Sequence, residues 1–409
     1  MQQLYTTIKK STLALALAVS IYSCVAPFEI ASSEFKSVLV VEGTITDQNQ
    51  IQRILVSRTF PLDTVLMAGV SRAKVLVVDS NGGMFQFTEE APGVYNSNAP
   101  FAAASGLTYS LSIETEEGKT YMSEETPVPA STSIQNLYAV RDFKDNGAEE
   151  GLFIYIDSFD ETGQSKYYRY EYEETYKIIA PFWSSADAYV ISPLPNPQVG
   201  IRARTREERV CYNTVASNTI IQENTTEFNE DRVNKFPIRF INRENFILSH
   251  RYSILVKQFV QTRAAFAYYE TLETLSGSES LFSQIQSGFL EGNVRSETDG
   301  ENVVGFFQVS TVSEKRLFFN YTDYFPGERL PDYVSDCPLL APPLASGGPP
   351  PTSPLIDGIE NNLIKYYGEY VPQDDLLTID TPGPYFMVYT VCGDCTVLGS
   401  NIEPDFWVE

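Results

Sequence analysis

The chain has 409 residues, 43% of them apolar, and carries 29 lysines and arginines against 53 aspartates and glutamates, a formal net charge of −24. An excess of negative charge of this size repels phosphate backbones and argues against nucleic acid as a partner. A single histidine, His250, rules out a histidine-rich zinc site, would have to serve any Ser-His-Asp arrangement, and leaves the commonest general base at neutral pH almost missing.

In chain order, the first signal is "LALALAVSIYSC", residues 13–24. Lys9 and Lys10 precede a roughly ten-residue apolar stretch, too short for a membrane-spanning helix, which needs about 20 residues. The pattern predicts a cleaved secretory signal over residues 1–23. Ile21-Tyr22-Ser23-Cys24 sets an aliphatic residue at minus three, a small one at minus one and cysteine at plus one, the order of a bacterial lipobox. Cys24 is therefore the expected lipid anchor. Acyl chains contribute about 0.8 kcal/mol per buried methylene, and several of them hold a protein on a membrane that it does not cross. Residues 24–36 read as a tether, weakly acidic through Glu29 and Glu34.

From Val38 to about Ala130 short alternating runs follow one another: "VLVVEGTITD", "IQRILVSRTF", "AKVLVVDSNGGMFQFTEE", "LTYSLSIETEEGKTYMSEE". Asn81-Gly82-Gly83 and Glu117-Gly118 are hairpin signals. The spacing predicts an immunoglobulin-like or transthyretin-like β-sandwich over residues 37–130. Asp63-Thr64-Val65 matches a short O-glycosylation pattern and marks Thr64 as a candidate acceptor. "TPVPAST", residues 126–132, reads as a linker.

The remainder, residues 131–409, reads as a larger β-rich domain with one or two inserted helices. Strand signals resume in "GLFIYIDSFD", "KYYRYEYEETYKII" and "NKFPIRFIN". Tyr168, Tyr170 and Tyr172 fall on one side of a strand, opposite Arg169, Glu171 and Glu173. They are expected to pack on a core. The alternative is an aromatic sugar platform, for which Tyr167, Tyr168, Tyr170, Trp183 and Tyr212 are the candidates. In "RDFKDNGAEEG", Asp142, Asp145 and Glu150 do not keep the alternate-oxygen spacing of a calcium loop, so a hairpin turn is expected. Tyr252, Ile254 and Val256 alternate as in a strand. Thr262 then caps a helix carrying Phe266, Tyr269, Leu272 and Leu275, stopped by Gly277. Further strands follow in "NVVGFFQVSTVSEKRLFFNY", and residues 339–355, rich in proline and glycine, read as an extended loop.

Four cysteines remain beyond Cys24: Cys211, Cys337, Cys392 and Cys395. An even number in an exported chain predicts two disulfides, with the pairing open between a local Cys392–Cys395 bridge and two long-range ones. No cofactor or metal is expected, and no carboxylate pair stands out for glycoside hydrolysis.

"VVEGTITD", "ILVSRTF", "RYSILVKQFVQTRAAFAYYETL", "GFFQVSTVSEKRLFF" after "EGNV", and "VCGDCTVLGSNIEPDFW" together resemble the Bacteroidota lipoproteins classed as domain-of-unknown-function family 4249. The resemblance spans essentially the whole mature chain. It departs at Arg295, soon after Gly292-Asn293, where related sequences often carry a cysteine. It implies an outer-membrane lipoprotein, commonly encoded beside TonB-dependent barrel transporters, and carries over no catalytic residue. The expectation is a non-enzymatic accessory subunit that caps such a barrel or passes it substrate, anchored at the outer membrane with the cell-surface face preferred. A scaffold subunit of an outer-membrane assembly or export complex is the alternative in the same location. A surface glycan-binding module or a carboxylate-dependent hydrolase is the alternative in another class.

Overall fold

Alternation decides the first strand. β1 (Leu39–Thr46) buries Leu39, Val41, Gly43 and Ile45 on the core side and turns Val40, Glu42 and Thr44 outward, as a half-buried strand must. The computed structural model describes residues 37–60, 68–144, 147–277, 290–297, 301–347, 350–370 and 382–409. After β1 come β2 (Arg53–Arg58), β3 (Ala68–Gly69), β4 (Lys74–Asp79), β5 (Met84–Ala91), β6 (Val94–Ser97), β7 (Thr108–Glu114), β8 (Thr120–Ser123) and β9 (Thr126–Pro127). Their apolar sides meet in one core around Tyr95, Tyr109, Leu111 and Tyr121.

β10 (Ile134–Lys144), β11 (Glu149–Phe159) and β17 (Arg232–Asn242) form a three-stranded antiparallel sheet. The turn between β10 and β11 is the hairpin expected at residues 141–151, with Lys144 opposite Glu149. β12 (Tyr167–Ile179), β15 (Val210–Ala216), β16 (Ile221–Asn224) and β18 (Arg251–Val260) form the facing sheet. The two layers enclose a second core that includes Leu152, Ile154, Ile156, Tyr168, Tyr170, Tyr252 and Ile254. β13 (Ala186–Ser192) and β14 (Gln198–Ala203) are a hairpin that leaves this body.

α1 (Arg263–Gly277) follows β18 directly, and the Ala265 amide donates to Thr262 Oγ1 at 3.2 Å, as an N-cap requires. Beyond it, β19 (Val294–Ser296) pairs with β8, and β20 (Val303–Asn320) joins the two sandwiches. The first part of β20, Val303 to Ser310, runs parallel to β1; the rest, Thr311 to Asn320, runs antiparallel to β18. The N-terminal unit is therefore not the continuous stretch 37–130 that the sequence suggests. Val294, Val303, Phe307 and Val309 complete its core from the far side of the second sandwich. Local periodicity carries no sign of this, because parallel partners are set by what the intervening chain allows to meet.

Three short helical segments follow: α2 (Tyr321–Tyr324), α3 (Pro354–Glu360) and, after β21 (Ile364–Glu369) and β22 (Tyr385–Tyr389), α4 (Thr390–Gly393). The extended loop expected over 339–355 ends one residue earlier than Pro354, which opens α3; proline suits that position because its missing N–H is not needed there. Leu340 bridges to Met387 and Ser346 to Thr352 along it. α3, the β21–β22 hairpin and β13 share a small third core around Ala188, Leu355, Ile364 and Met387. The molecule is thus mainly β, as expected.

Two long-range disulfides staple the C-terminal segment to this body: Cys211–Cys395 and Cys337–Cys392, each with Cα atoms 5.7 Å apart. The local Cys392–Cys395 bridge does not form. The Cys395 amide is held by Glu208 O and the Cys392 carbonyl accepts from the Phe182 amide, so the two residues are drawn to different neighbours.

Candidate ligand and partner surfaces

β12 has two faces with different chemistry. Tyr168 and Tyr170 are fully buried against the three-stranded sheet. Arg169, Glu171 and Glu173 face the other way, in register with Phe259, Lys257 and Leu255 on β18, which in turn meet Val312, Glu314 and Arg316 on β20. The outer face of this sheet is therefore a checkerboard of charge. α1 covers one end: Phe266 lies 5.2 Å from the Tyr167 ring, and Tyr269 reaches over Arg169. The C-terminal tail covers the other, with Trp407 against Tyr212 at 4.9 Å and the Arg316 guanidinium 3.6 Å from the Phe406 centroid.

A hollow of about 150 Å³ opens beside α1, lined by Arg169, Glu171, Glu173, Ser217, Lys257 and Tyr269. Arg169 lies between two rings, Phe259 at 4.5 Å and Tyr269 at 5.1 Å, and pairs with Glu171; stacking on aromatic faces is a guanidinium property that an ammonium matches poorly. Its Nε is buried with no hydrogen-bond partner among the described residues. Burial raises the Tyr269 pKa, with Arg169 opposing, so this hydroxyl stays protonated. Lys257 holds Glu314 at 3.7 Å. Ser217 is already engaged, its Oγ accepting from the Tyr172 amide and its amide donating to Tyr172 O. The hollow offers both signs of charge to a small polar group.

On the other side of the same 217–220 segment lies a larger slot, about 490 Å³, between residues 218–222 and residues 236–240 of β17. Behind it, Glu174 accepts from Arg239 through both oxygens at 3.2 Å and from Tyr252 at 2.7 Å. Burial opposes the Arg239 charge, and Glu174 outweighs it, so the guanidinium pKa is raised. Burial and then Glu174 push the Tyr252 hydroxyl well up. A carboxylate inside a sandwich core is tolerated because all of these donors converge on it.

The residues singled out in the sequence are placed as follows. Cys24, Thr64 and Asp145 lie outside the described residues. His250 is partly buried just before β18, and burial, then Lys177, lower its pKa. Asp142 and Glu150 flank the β10–β11 turn, and Glu150 is held by Arg141 at 2.6 Å and by Arg243 at 2.5 Å, a structural ion pair. The aromatic platform does not form. β12 turns Tyr168 and Tyr170 inward to cover the core, Tyr212 is buried on the outer face beneath Trp407, and Trp183 packs against the second core with its Nε1 buried. Arg295 pairs with Glu124 at 2.9 Å on the surface. Sequence reasoning set Arg169 on the outer face but had no means to find its ring partners, which come from β18 and α1. Arg239, which reaches Glu174 and Tyr252 from the opposite sheet, carried no local signal.

These features define a multi-unit β-sandwich protein, closed by two disulfides and carrying polar hollows on a sheet surface and at a sheet edge. The chain belongs to the family described as Domain of unknown function (DUF4249), whose model matches residues 25–316. That match covers the first sandwich and most of the second, and ends within β20. No curated protein matches the chain.

Proposed function

We propose that the chain is a lipid-anchored outer-membrane subunit that binds a TonB-dependent barrel, capping it or passing it substrate, with no chemistry of its own. The observation that carries this reading is the apolar run ending at Cys24, followed after a short tether by β1; a body held on a membrane in this way acts beside membrane proteins. The surfaces favour binding. At the Arg169 hollow, Arg169 pairs with Glu171 and Lys257 with Glu314, and the hydroxyl of Ser217 serves the main chain, whereas a nucleophile needs an adjacent base. Burial of Tyr168 and Tyr170 removes support from a stacking platform for sugars.

The test is affinity purification of the tagged, full-length protein from gently solubilised outer membranes, with mass spectrometry of what accompanies it. A stoichiometric barrel is expected; recovery of the chain alone refutes the reading. Recovery with several assembly subunits instead would make it a scaffold, a role that loss of growth on rich medium after depletion would corroborate.

A further inference from the structure

Residues 401–409 lie on a trough in the outer face of the sheet formed by β15, β12, β18 and β20. Thr214, Thr175 and Ser253 stand side by side on three strands, with Phe318 beside Ser253 on β20 and Tyr212 two residues before Thr214 on β15. Small residues flanked by two rings leave room for a third ring. Trp407 fills it, meeting Tyr212 at 4.9 Å and Phe318 at 5.8 Å edge-on, and is only 7% exposed. The rest of the segment stays open: Ile402 is 76% and Val408 57% exposed. From residue 402 onward no main-chain group of the segment bonds the main chain of the body among the described residues. Side chains hold it instead. The Arg316 guanidinium stacks on Phe406, Arg251 Nε donates to Val408 O, Lys177 donates to Glu409 at 2.6 Å and the Tyr212 hydroxyl to Glu403 at 2.8 Å. One buried aromatic anchor ringed by polar contacts is the way an interface holds a ligand.

We propose that this trough is a binding site for an acidic peptide segment carrying one large aromatic side chain, with residues 401–409 as its resident occupant, displaced in the assembly by a like segment of the barrel partner. The identity of that guest rests on the function proposed above; the trough and its present occupant do not. The occupant shows what the trough selects. Lys177 forms an ion pair only with Glu409 among the described residues, and Arg251 has Val408 O and Asn320 Oδ1 as its polar partners. With the segment withdrawn, both cations face an empty trough in a chain of 53 acidic and 29 basic side chains. A resident segment also acts as a brake. A tethered ligand competes at an effective concentration on the order of millimolar, so a free segment that binds the bare trough at about 10 µM is held back roughly a hundredfold by this competition.

The experiment uses a fluorescent synthetic peptide of residues 401–409 and three chains: wild type, the chain ended at Ser400, and full-length Trp407→Ala. Thermal unfolding confirms that each folds. The shortened chain and Trp407→Ala are expected to bind the peptide at least tenfold more tightly than wild type, and Lys177→Glu/Arg251→Glu in the shortened chain to lose it. Peptide bound by neither altered chain, or both altered chains unfolded, overturns the inference and makes the segment an ordinary part of the fold. Equal binding to wild type and the shortened chain places the peptide elsewhere and overturns it too. Binding that survives Lys177→Glu/Arg251→Glu overturns the acidic assignment. Excess peptide added to the solubilised barrel complex should strip the barrel from the chain; a barrel that stays overturns the choice of guest and leaves the partner reading standing. If wild type brings down no barrel, the partner reading has failed, and the peptide measurements still decide the trough.

Discussion

Asn293 is the sharpest test of how the two sandwiches are joined. It precedes β19, and its carboxamide takes the place of a neighbouring strand for β20: the Phe307 amide donates to Asn293 Oδ1 at 2.8 Å, and Asn293 Nδ2 donates to Phe307 O at 2.7 Å. Asn293 is only 7% exposed, so Asn293→Ala leaves a buried donor and a buried acceptor without their partner. Each such group costs about 1–3 kcal/mol. The carbonyl keeps a second donor in Thr126 Oγ1, but at 3.4 Å that bond is long and offsets little. The expected loss is about 2–5 kcal/mol. Urea unfolding followed by circular dichroism should show a lower midpoint with an unchanged slope, the signature of lost stability without a change in exposed surface. Asn293→Asp keeps an acceptor for the amide but sets a carboxylate against the Phe307 carbonyl, so it should be no more stable than the alanine variant. An alanine variant within about 0.5 kcal/mol of wild type, the scatter of neutral surface changes, would refute the idea that this side chain substitutes for a strand.

Three further outcomes follow from the same structure. Gly305 has φ +126, and a Cβ there would sit 1.9 Å from Val41 O; Gly305→Ala should abolish soluble expression, measured as yield of folded protein against wild type. Reducing Cys211–Cys395, which closes a span of 184 residues, removes up to about 5 kcal/mol by the loop-entropy relation, so a calorimetric melt under reductant should shift downward by much more than in the Cys337→Ser/Cys392→Ser variant melted without reductant. The Asp160 carboxyl is raised by burial, but Thr162, Ser165 and Gln164 donate to it and bring it to about 2. A folded pKa below the unfolded 3.8 gives stability that is present above 3.8 and lost as pH falls through 2. Wild type should therefore lose roughly 2 kcal/mol more than Asp160→Asn between pH 4 and pH 2, read by urea titration at each pH; parallel profiles would remove this assignment.

What the sequence disclosed is what local period controls. The inward set Tyr168 and Tyr170, the cap at Thr262 and the β10–β11 hairpin each depend on residues within a few positions of one another. The even cysteine count announced two disulfides, but pairing is a property of the fold, and Cys211 finds Cys395 only because β15 and the C-terminal turn are neighbours. The same limit hides the sites. Arg169 lies in a cage of Phe259 and Tyr269, and Glu174 meets Arg239 across two sheets; alternation gives the direction of a side chain and not what it meets. Gly292 and Asn293, noticed as a pair in the family resemblance, prove to be packing residues: a Cβ on Gly292 would fall 1.5 Å from Gly305 O.

β20 also sets the distance between the tether and the slot. Leu39, where the tether enters, is opposite Val303, whereas Tyr172 beside the slot aligns through Val256 with Lys315. Twelve steps along a strand at about 3.3 Å each separate these levels by up to about 40 Å, so, on the proposed function, the N-terminal sandwich would hold the slot away from the lipid anchor. It cannot do so alone. Val294, Val303, Phe307 and Val309 are buried in its core, and full burial of such side chains contributes roughly 1.5–3 kcal/mol each. Their loss removes about 6–12 kcal/mol, comparable with the whole stability of a typical domain, about 5–15 kcal/mol. It also bares the side of β1 that β20 covers. A fragment of residues 37–130 should therefore give the collapsed amide spectrum of an unfolded chain, and adding a separate chain of residues 290–320 should not be needed in the intact protein, where β20 is already in place. A well-dispersed spectrum from residues 37–130 by themselves would show that the first sandwich is an independent spacer and that β20 merely rests against it.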